Sequence, residues 1–343
     1  MGRIGMLTGG GDCPGLNAVI SAATRTLSDG GLKAVGLLDG WKGAIDGVTM
    51  DLDTTNTAHI IGVGGTILGT SRTNPYKKEG AVEKIKANFK KLDLDGLIAI
   101  GGEDTLGVAT KLYEESKLPV VGVPKTIDND LSATDFTFGF DTAVNIAVDS
   151  IDRIHTTAAS HHRVLVVEVM GRHAGWIAAY AGIAGDADVT LVPEIKVDVE
   201  EVCNTLKKNR AGGKRYNIVV ASEGITFKEG QFVTQETQLD SFGHVRLGGV
   251  GDALAKMIEK QTGFETRAVV LGHLQRGGAP TTFDRMLGTR FGVKAAKMVM
   301  AGEWGKMAAL RGNEIVAVPL AEATGELKVL NDDFKSLVAL FSR

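Results

Sequence analysis

The segment Pro124-Lys125-Thr126-Ile127-Asp128-Asn129-Asp130 places a cation, a hydroxyl and two carboxylates directly after an apolar run. One carboxylate there can take a proton from a substrate hydroxyl while another holds a metal ion. The plainer alternative is a turn, for which Asp and Asn are favoured residues. Ile100-Gly101-Gly102-Glu103-Asp104-Thr105 sets two adjacent acids after a second apolar run. Such a pair suits Mg²⁺, an oxygen-seeking cation that usually arrives with phosphate, and it equally suits the N-terminus of a helix. Thr8-Gly9-Gly10-Gly11-Asp12-Cys13-Pro14-Gly15 resembles a phosphate cradle. Amides unshielded by Cβ atoms can approach phosphate oxygens, and a following helix adds its partial positive charge. No Gly-Lys-Ser/Thr closes this loop, and Pro14 occupies the third position of a G-x-G-x-x-G reading, so neither standard nucleotide fingerprint is present. A tight strand-to-helix turn would use the same residues.

Arginines supply the complementary charge. Arg72 lies in Gly69-Thr70-Ser71-Arg72-Thr73, Arg163 follows Ser160-His161-His162, and Arg172 follows Met170-Gly171. Arg267 starts an apolar run, and Arg276 sits in Gly272-His273-Leu274-Gln275-Arg276-Gly277-Gly278. Guanidinium forks match phosphate oxygens in a way that lysine cannot. Each arginine alone reads as solvated surface; five beside glycine loops or strand ends fit at least two phosphate sites. His273 suits a hydrogen bond to a sugar phosphate or an ordinary packed position.

These segments must be held by regular elements, and the chain alternates short Val/Ile-rich runs with helical patterns. That rhythm argues for parallel sheets covered by helices. Strands are expected at Ile4–Leu7, Gly96–Ile100, Val120–Val123, Val164–Val169, Val189–Val192, Ile218–Ala221, Ala268–Leu271 and Ile315–Val318. Each reads as a doubly buried parallel strand. Helices are expected at Leu16–Leu27, through Tyr113, near Thr142–Ile154 and from Trp176. The segments Gly9–Gly15, Gly101–Thr105, Lys125–Asp130, Met170–Gly175 and Gly272–Gly278 then fall at carboxyl ends of strands, where open α/β sheets bind ligands.

The 343 residues suffice for two domains, and 43% apolar with 23% charged residues excludes disorder as the main state. A net charge of −3 leaves no global basic field for nucleic acid or an anionic membrane. No apolar stretch is long enough to span a bilayer, and the first residues lack a signal-peptide core. Cys13 and Cys203 form neither a metal cluster nor a disulfide framework, so a cytoplasmic setting is expected. The 45 glycines, about 13% of the chain against a typical ~7%, fall in clusters, as loops that approach a ligand closely require. No linker marks a boundary. The division is set near Phe138, giving one unit over 1–138 and a second over 139–251. Residues 252–306 are expected to rejoin the first and 307–343 the second.

Taken together, the motifs resemble the 6-phosphofructokinase family. The ordered match runs from Gly9-Gly10-Gly11-Asp12 through Thr126-Ile127-Asp128-Asn129-Asp130, Met170-Gly171-Arg172 and Ser222-Glu223-Gly224 to Gly272–Gly278, which is most of the chain. The resemblance implies two similar parallel-sheet α/β domains with helices on both faces and the active site between them. It implies Mg²⁺-dependent phosphoryl transfer to the 1-hydroxyl of fructose 6-phosphate. On that basis Asp128 is the base, Thr126 its neighbour, Arg172 the stabiliser of the moving phosphoryl group and Glu103 the metal holder. Gly10, Gly11, Arg72, Asp104 and Lys125 would face the donor. Met170, Gly171, Glu223, His273 and Arg276 would bind the sugar phosphate. Arg163 and Arg267 would reach in from a neighbouring subunit of a homotetramer or homodimer.

Two positions address the donor. Many ATP-using members carry glycine where this chain has Asp104, and often also where it has Lys125. The pair resembles the pyrophosphate-dependent branch, because a carboxylate at 104 occupies the space and charge of an ATP α-phosphate. Some ATP users share the lysine, so Asp104 is the more decisive residue. Glu103 is longer than the aspartate common in the family. The competing readings are an ATP-dependent phosphofructokinase, a silent sugar-phosphate-binding regulatory subunit, and an oxidoreductase that lacks its dinucleotide fingerprint. The nucleotide-effector site of ATP-dependent relatives is also thinned, with Ser21 beside Arg25 on the first helix and His155 for a mid-chain arginine. Lys214 and Arg215 remain.

Overall fold

Val- and Ile-rich runs form the innermost strands of the protein, as side chains stiff at Cβ pack well on a pleated surface covered on both faces. The computed structural model describes residues 2–228 and 249–342. In chain order the elements begin with β1 (Arg3–Gly9), α1 (Leu16–Asp29), β2 (Lys33–Leu37), α2 (Trp41–Asp46), β3 (Thr49–Leu52), α3 (Ala81–Lys91), β4 (Gly96–Gly101), α4 (Glu103–Ser116) and β5 (Val120–Pro124). Next come α5 (Phe140–His161), β6 (Val164–Val169), α6 (Trp176–Ala184), β7 (Val189–Leu191), α7 (Val199–Ala211) and β8 (Asn217–Ser222). The final stretch holds α8 (Val250–Thr262), β9 (Thr266–Val270), α9 (Thr282–Met300), β10 (Lys306–Arg311), β11 (Glu314–Pro319), α10 (Leu320–Ala323) and α11 (Asp332–Phe341).

Two sheets result. The larger has seven strands in the order β11-β10-β5-β4-β1-β2-β3, parallel except for its two edge strands; the smaller has four parallel strands in the order β7-β8-β6-β9. The expected strands all form, with small shifts of their ends, but Ala268–Leu271 falls in the parallel edge strand β9, which is mostly exposed or half-exposed rather than doubly buried, because it has a neighbour on one side only. Three strands escape the sequence pattern: β2, the polar edge strand β3 (Thr-Met-Asp-Leu) and the alanine-bearing β10. Ile315–Val318 is a strand but not a doubly buried parallel one. It lies in β11, antiparallel to β10 at the sheet edge, and is mostly half-exposed.

Sheet membership divides the chain differently from the expected units. β9 belongs to the four-stranded sheet because it pairs with β6, whereas β10 and β11 extend the seven-stranded sheet through β5. The rejoining segments 252–306 and 307–343 therefore each split or change sides, since strand pairing rather than local composition decides where a returning chain docks. Part of the expected 139–251 unit, residues 229–248, lies outside the described residues.

One apolar core continues from the large sheet to the small one, through Phe138, Phe140, Phe291 and Trp176. α9 crosses α1 closely. A Cβ on Gly292 would stand 2.5 Å from the Val19 carbonyl oxygen, and one on Gly288 would stand 2.8 Å from that of Gly15. Asp284 of α9 accepts hydrogen bonds from the Thr142 amide at 2.8 Å and hydroxyl at 2.5 Å, tying α9 to α5. Gly292→Ala should force the two helices apart at a cost of about 1–3 kcal/mol. A lowered urea midpoint with an unchanged slope is the expected reading.

Candidate active site

The large sheet reverses its winding direction beside β1, which has β2 on one side and β4 on the other. The loops after β1 and β4 therefore splay apart at a topological switch point and leave a crevice. Gly9 and Gly101, register partners at the ends of these strands, both pack against Thr105, and a Cβ on either would collide with its side chain. In the small sheet the loops after β6, β8 and β9 leave from the carboxyl ends of adjacent parallel strands. Both sets face one cleft of about 440 Å³. It is lined by Gly10, Gly11, Arg72, Gly102, Glu103, Asp104, Thr105, Lys125, Thr126, Asp128, Asp130, Met170, Arg172, Glu223, His273 and Arg276.

On the large-sheet side, Lys125 is only 3% exposed, and its ammonium donates to the Gly11 carbonyl. Burial lowers its pKa; the Cys13 thiol opposes that shift and Arg276 adds to it. Arg276 reaches the same loop from the small-sheet side, donating through Nη1 to the Asp12 carbonyl at 3.2 Å. The Arg72 loop is fastened alongside: the Thr70 hydroxyl donates to the Gly10 carbonyl at 2.6 Å and the Gly10 amide donates to the Ser71 carbonyl at 3.3 Å. Glu103 and Asp104 open α4, where their charge complements the helix N-terminus while both line the cleft.

Thr126 Oγ1 accepts from the Asp128 amide at 3.0 Å, closing a small turn that presents the acidic residues. Asp128 Oδ1 is buried and has no hydrogen-bond partner among the described residues. An acceptor so placed is costly unless something arrives to use it. The Asp130 carboxyl is pushed up to about 7, first by burial and then by the Asp128 charge. Glu223 is likewise raised to about 7, by burial and then by Asp128, against an opposing hydrogen bond from the Arg172 backbone. Gly171 at φ 143° and Arg172 at φ 48° make the sharp turn that brings Arg172 to the cleft wall.

Every expected site residue lines this cleft except Gly171, Arg163 and Arg267. Gly171 serves the turn. Arg163 and Arg267 lie outside, both paired with Glu265, at 2.6 and 3.0 Å. Three lining residues were not assigned a role by the resemblance: Gly102, Thr105 and Asp130. Asp130 was visible within the acidic segment, but its burial was not. Gln275 was also missed. Fully buried, it accepts from the Met170 amide at 2.8 Å through Oε1 and so joins the loops after β6 and β9. Three residues of the thinned effector site are engaged internally. Ser21 donates to the Thr57 carbonyl at 2.8 Å, His155 Nε2 lies 2.8 Å from the Gly185 carbonyl, and Lys214 pairs with buried Asp188 at 2.6 Å.

Among the described residues no group of three His, Cys, Asp or Glu side chains forms a preformed metal cage. The cleft fits Mg²⁺ in the way that ion is commonly held, by one or two carboxylates plus substrate phosphates. The supporting observations are the carboxylates on its wall and the orphaned Asp128 oxygen.

Clustered guanidiniums, a buried ammonium, a glycine cradle and a carboxylate poised beside them, all between two α/β sheets, define an enzyme that moves phosphoryl groups. Residues 3–299 match the phosphofructokinase family model, and the chain belongs to that family. It is 56% identical over 340 residues to the pyrophosphate–fructose 6-phosphate 1-phosphotransferase of Streptomyces coelicolor, covering 99% of each chain. It is 48% identical over 328 residues to the ATP-dependent 6-phosphofructokinase of Corynebacterium efficiens, covering 95% of this chain and 94% of that one. Among solved structures, the pyrophosphate-dependent phosphofructokinase from Marinobacter aquaeolei superposes with a TM-score of 0.82 at 25% identity, covering 99% of this chain and 91% of that one.

The raised Glu223 carboxyl makes stability depend on pH. Its folded pKa lies above the unfolded value, so the native state holds a proton that the unfolded chain releases. Stability should fall as pH rises from about 4.5 to about 7 and then level off. The slope from this one group is about 1.4 kcal/mol per pH unit. In Glu223→Gln that slope should be lost from denaturant titrations across the same range.

Proposed function

We propose that this protein is a pyrophosphate-dependent 6-phosphofructokinase. It transfers a phosphoryl group reversibly from diphosphate to the 1-hydroxyl of fructose 6-phosphate, giving fructose 1,6-bisphosphate, as a cytoplasmic step of glycolysis or gluconeogenesis. The observation that carries the donor assignment is the pairing of Asp104 with Lys125 on the large-sheet side of the cleft. The carboxylate opposes an α-phosphate, while the buried ammonium at the glycine loop favours a compact dianionic leaving group. The Streptomyces coelicolor relative carries the same activity in its name.

In this reading Asp128 accepts the proton of the sugar 1-hydroxyl as the oxygen attacks. Thr126 fixes the turn that aims it, as the hydrogen bond to the Asp128 amide indicates. Arg172 faces the phosphoryl group in flight, where charge spreads over the equatorial oxygens. Glu103 would hold Mg²⁺ together with substrate phosphates; when bound, that ion supplies charge neutralisation between donor and acceptor. Met170, Glu223, His273 and Arg276 bind the sugar phosphate. Arg163 and Arg267, outside the cleft of their own chain, complete the site of a neighbouring subunit in a homotetramer or homodimer. With Ser21, His155 and Lys214 engaged internally, nucleotide effectors have little to bind.

Assays with each donor test the assignment. Wild-type protein should turn over pyrophosphate much faster than ATP, and Asp104→Gly should raise ATP use; the reverse preference sinks the reading. Asp128→Ser should lower kcat by ~10²–10⁴-fold with sugar-phosphate binding retained. Mixed with inactive Arg163→Ala chains, those Asp128→Ser chains should regain activity through hybrid interfaces. No recovery after verified subunit exchange would argue against shared sites.

A further inference from the structure

The loop carrying Asp128 and Asp130 is held from behind by the chain between α10 and α11. Leu131 bridges Leu327 in antiparallel register, the Lys328 amide donates to the Asp130 carbonyl at 2.8 Å, and the Ser132 hydroxyl donates to the Glu326 carbonyl. The Lys328 ammonium then donates to Asn129 Oδ1 and to the Thr134 and Asp135 carbonyls, each at 2.9 Å. Three donors meet three acceptors, which is the full capacity of the group. On its other side the Lys328 carbonyl accepts from the Trp176 indole at 2.8 Å. Trp176 opens α6 immediately after the loop that bears Arg172. Glu194 reinforces the same link, one of its oxygens accepting from the Gly175 and Leu330 amides, both at 2.9 Å.

Asn129 makes this connection matter to chemistry. It sits between the two cleft carboxylates at φ 51°, buried, with its amide oxygen also accepting from the Thr137 amide at 3.1 Å. Asp128 and Asp130 line the cleft, whereas Asn129 lines a second cavity on the far side of the loop, beside Lys328. We propose that Lys328 is a positioning residue for the phosphoryl transfer assigned above, holding the Asp128 loop of the large sheet in register with the Arg172 loop of the small sheet. The role rests on that functional reading. Without the ammonium, each of the three acceptors loses a donor and the loop shifts against Arg172. A displacement of about 1 Å at a reacting group costs on the order of 10²-fold in rate.

Lys328→Ala is the direct test, because the adjoining cavity of about 370 Å³ admits a small amine. With pyrophosphate as donor, kcat should fall about ten- to a hundredfold while both KM values stay within about threefold. Ethylammonium should restore much of the loss, and tetramethylammonium, which has no N–H, should restore none. Asn129→Gly, which tolerates the left-handed backbone, should lower kcat similarly by itself and should add little to Lys328→Ala in the double variant. Undiminished kcat in either single variant overturns the proposal, as does a loss indifferent to ethylammonium or multiplicative effects in the double variant. Should Lys328→Ala not fold, Asn129→Gly alone decides. Absence of pyrophosphate-dependent turnover in wild-type protein defeats the functional reading instead, so the two failures are distinguishable.

Discussion

An ammonium group buried beneath a glycine loop is the constraint around which the cleft is built. Lys125 can be charged there only if acceptors replace the water it has lost, and the Gly11 carbonyl begins that replacement. The loop must come close enough to offer its carbonyls, which demands residues without side chains where β1 and β4 end. Arg276 approaches the same loop from the other sheet, so the two halves of the protein meet over one cluster of backbone oxygens. Incoming phosphate oxygens, being anionic, are better partners for both cations than neutral carbonyls are.

The same cleft carries the compensating problem of too many carboxylates. Glu103, Asp104, Asp128, Asp130 and Glu223 share the cleft, and burial together with the Asp128 charge leaves Asp130 and Glu223 titrating near 7. Crowding in a buried cleft in this way favours the protonated form of these two groups. The cations come from the Arg72 loop, the segment after β5, and the loops after β6 and β9, whereas the carboxylates come from α4, the segment after β5 and the residue after β8. Neither sheet contains a working set alone.

The sequence by itself determined the chemical vocabulary and most of the central strands. Glycine loops after apolar runs, acids after β4 and β5, and arginines at strand ends are local patterns, and local patterns follow from chain geometry within a few residues. The interior strands were legible for the same reason: uninterrupted Val and Ile runs have few other places to go. Tertiary structure decided the rest. β3 and β10 owe their existence to a neighbour with open hydrogen-bonding groups rather than to their own composition, and β11 runs antiparallel because a short turn returns it along β10. The exclusion of Arg163 and Arg267 from their own cleft, the burial that raises Asp130, and the reach of Lys328 to Asn129, 199 residues earlier in the chain, are all long-range facts. Each depends on which surfaces meet when two sheets pack, and no spacing within one segment encodes that.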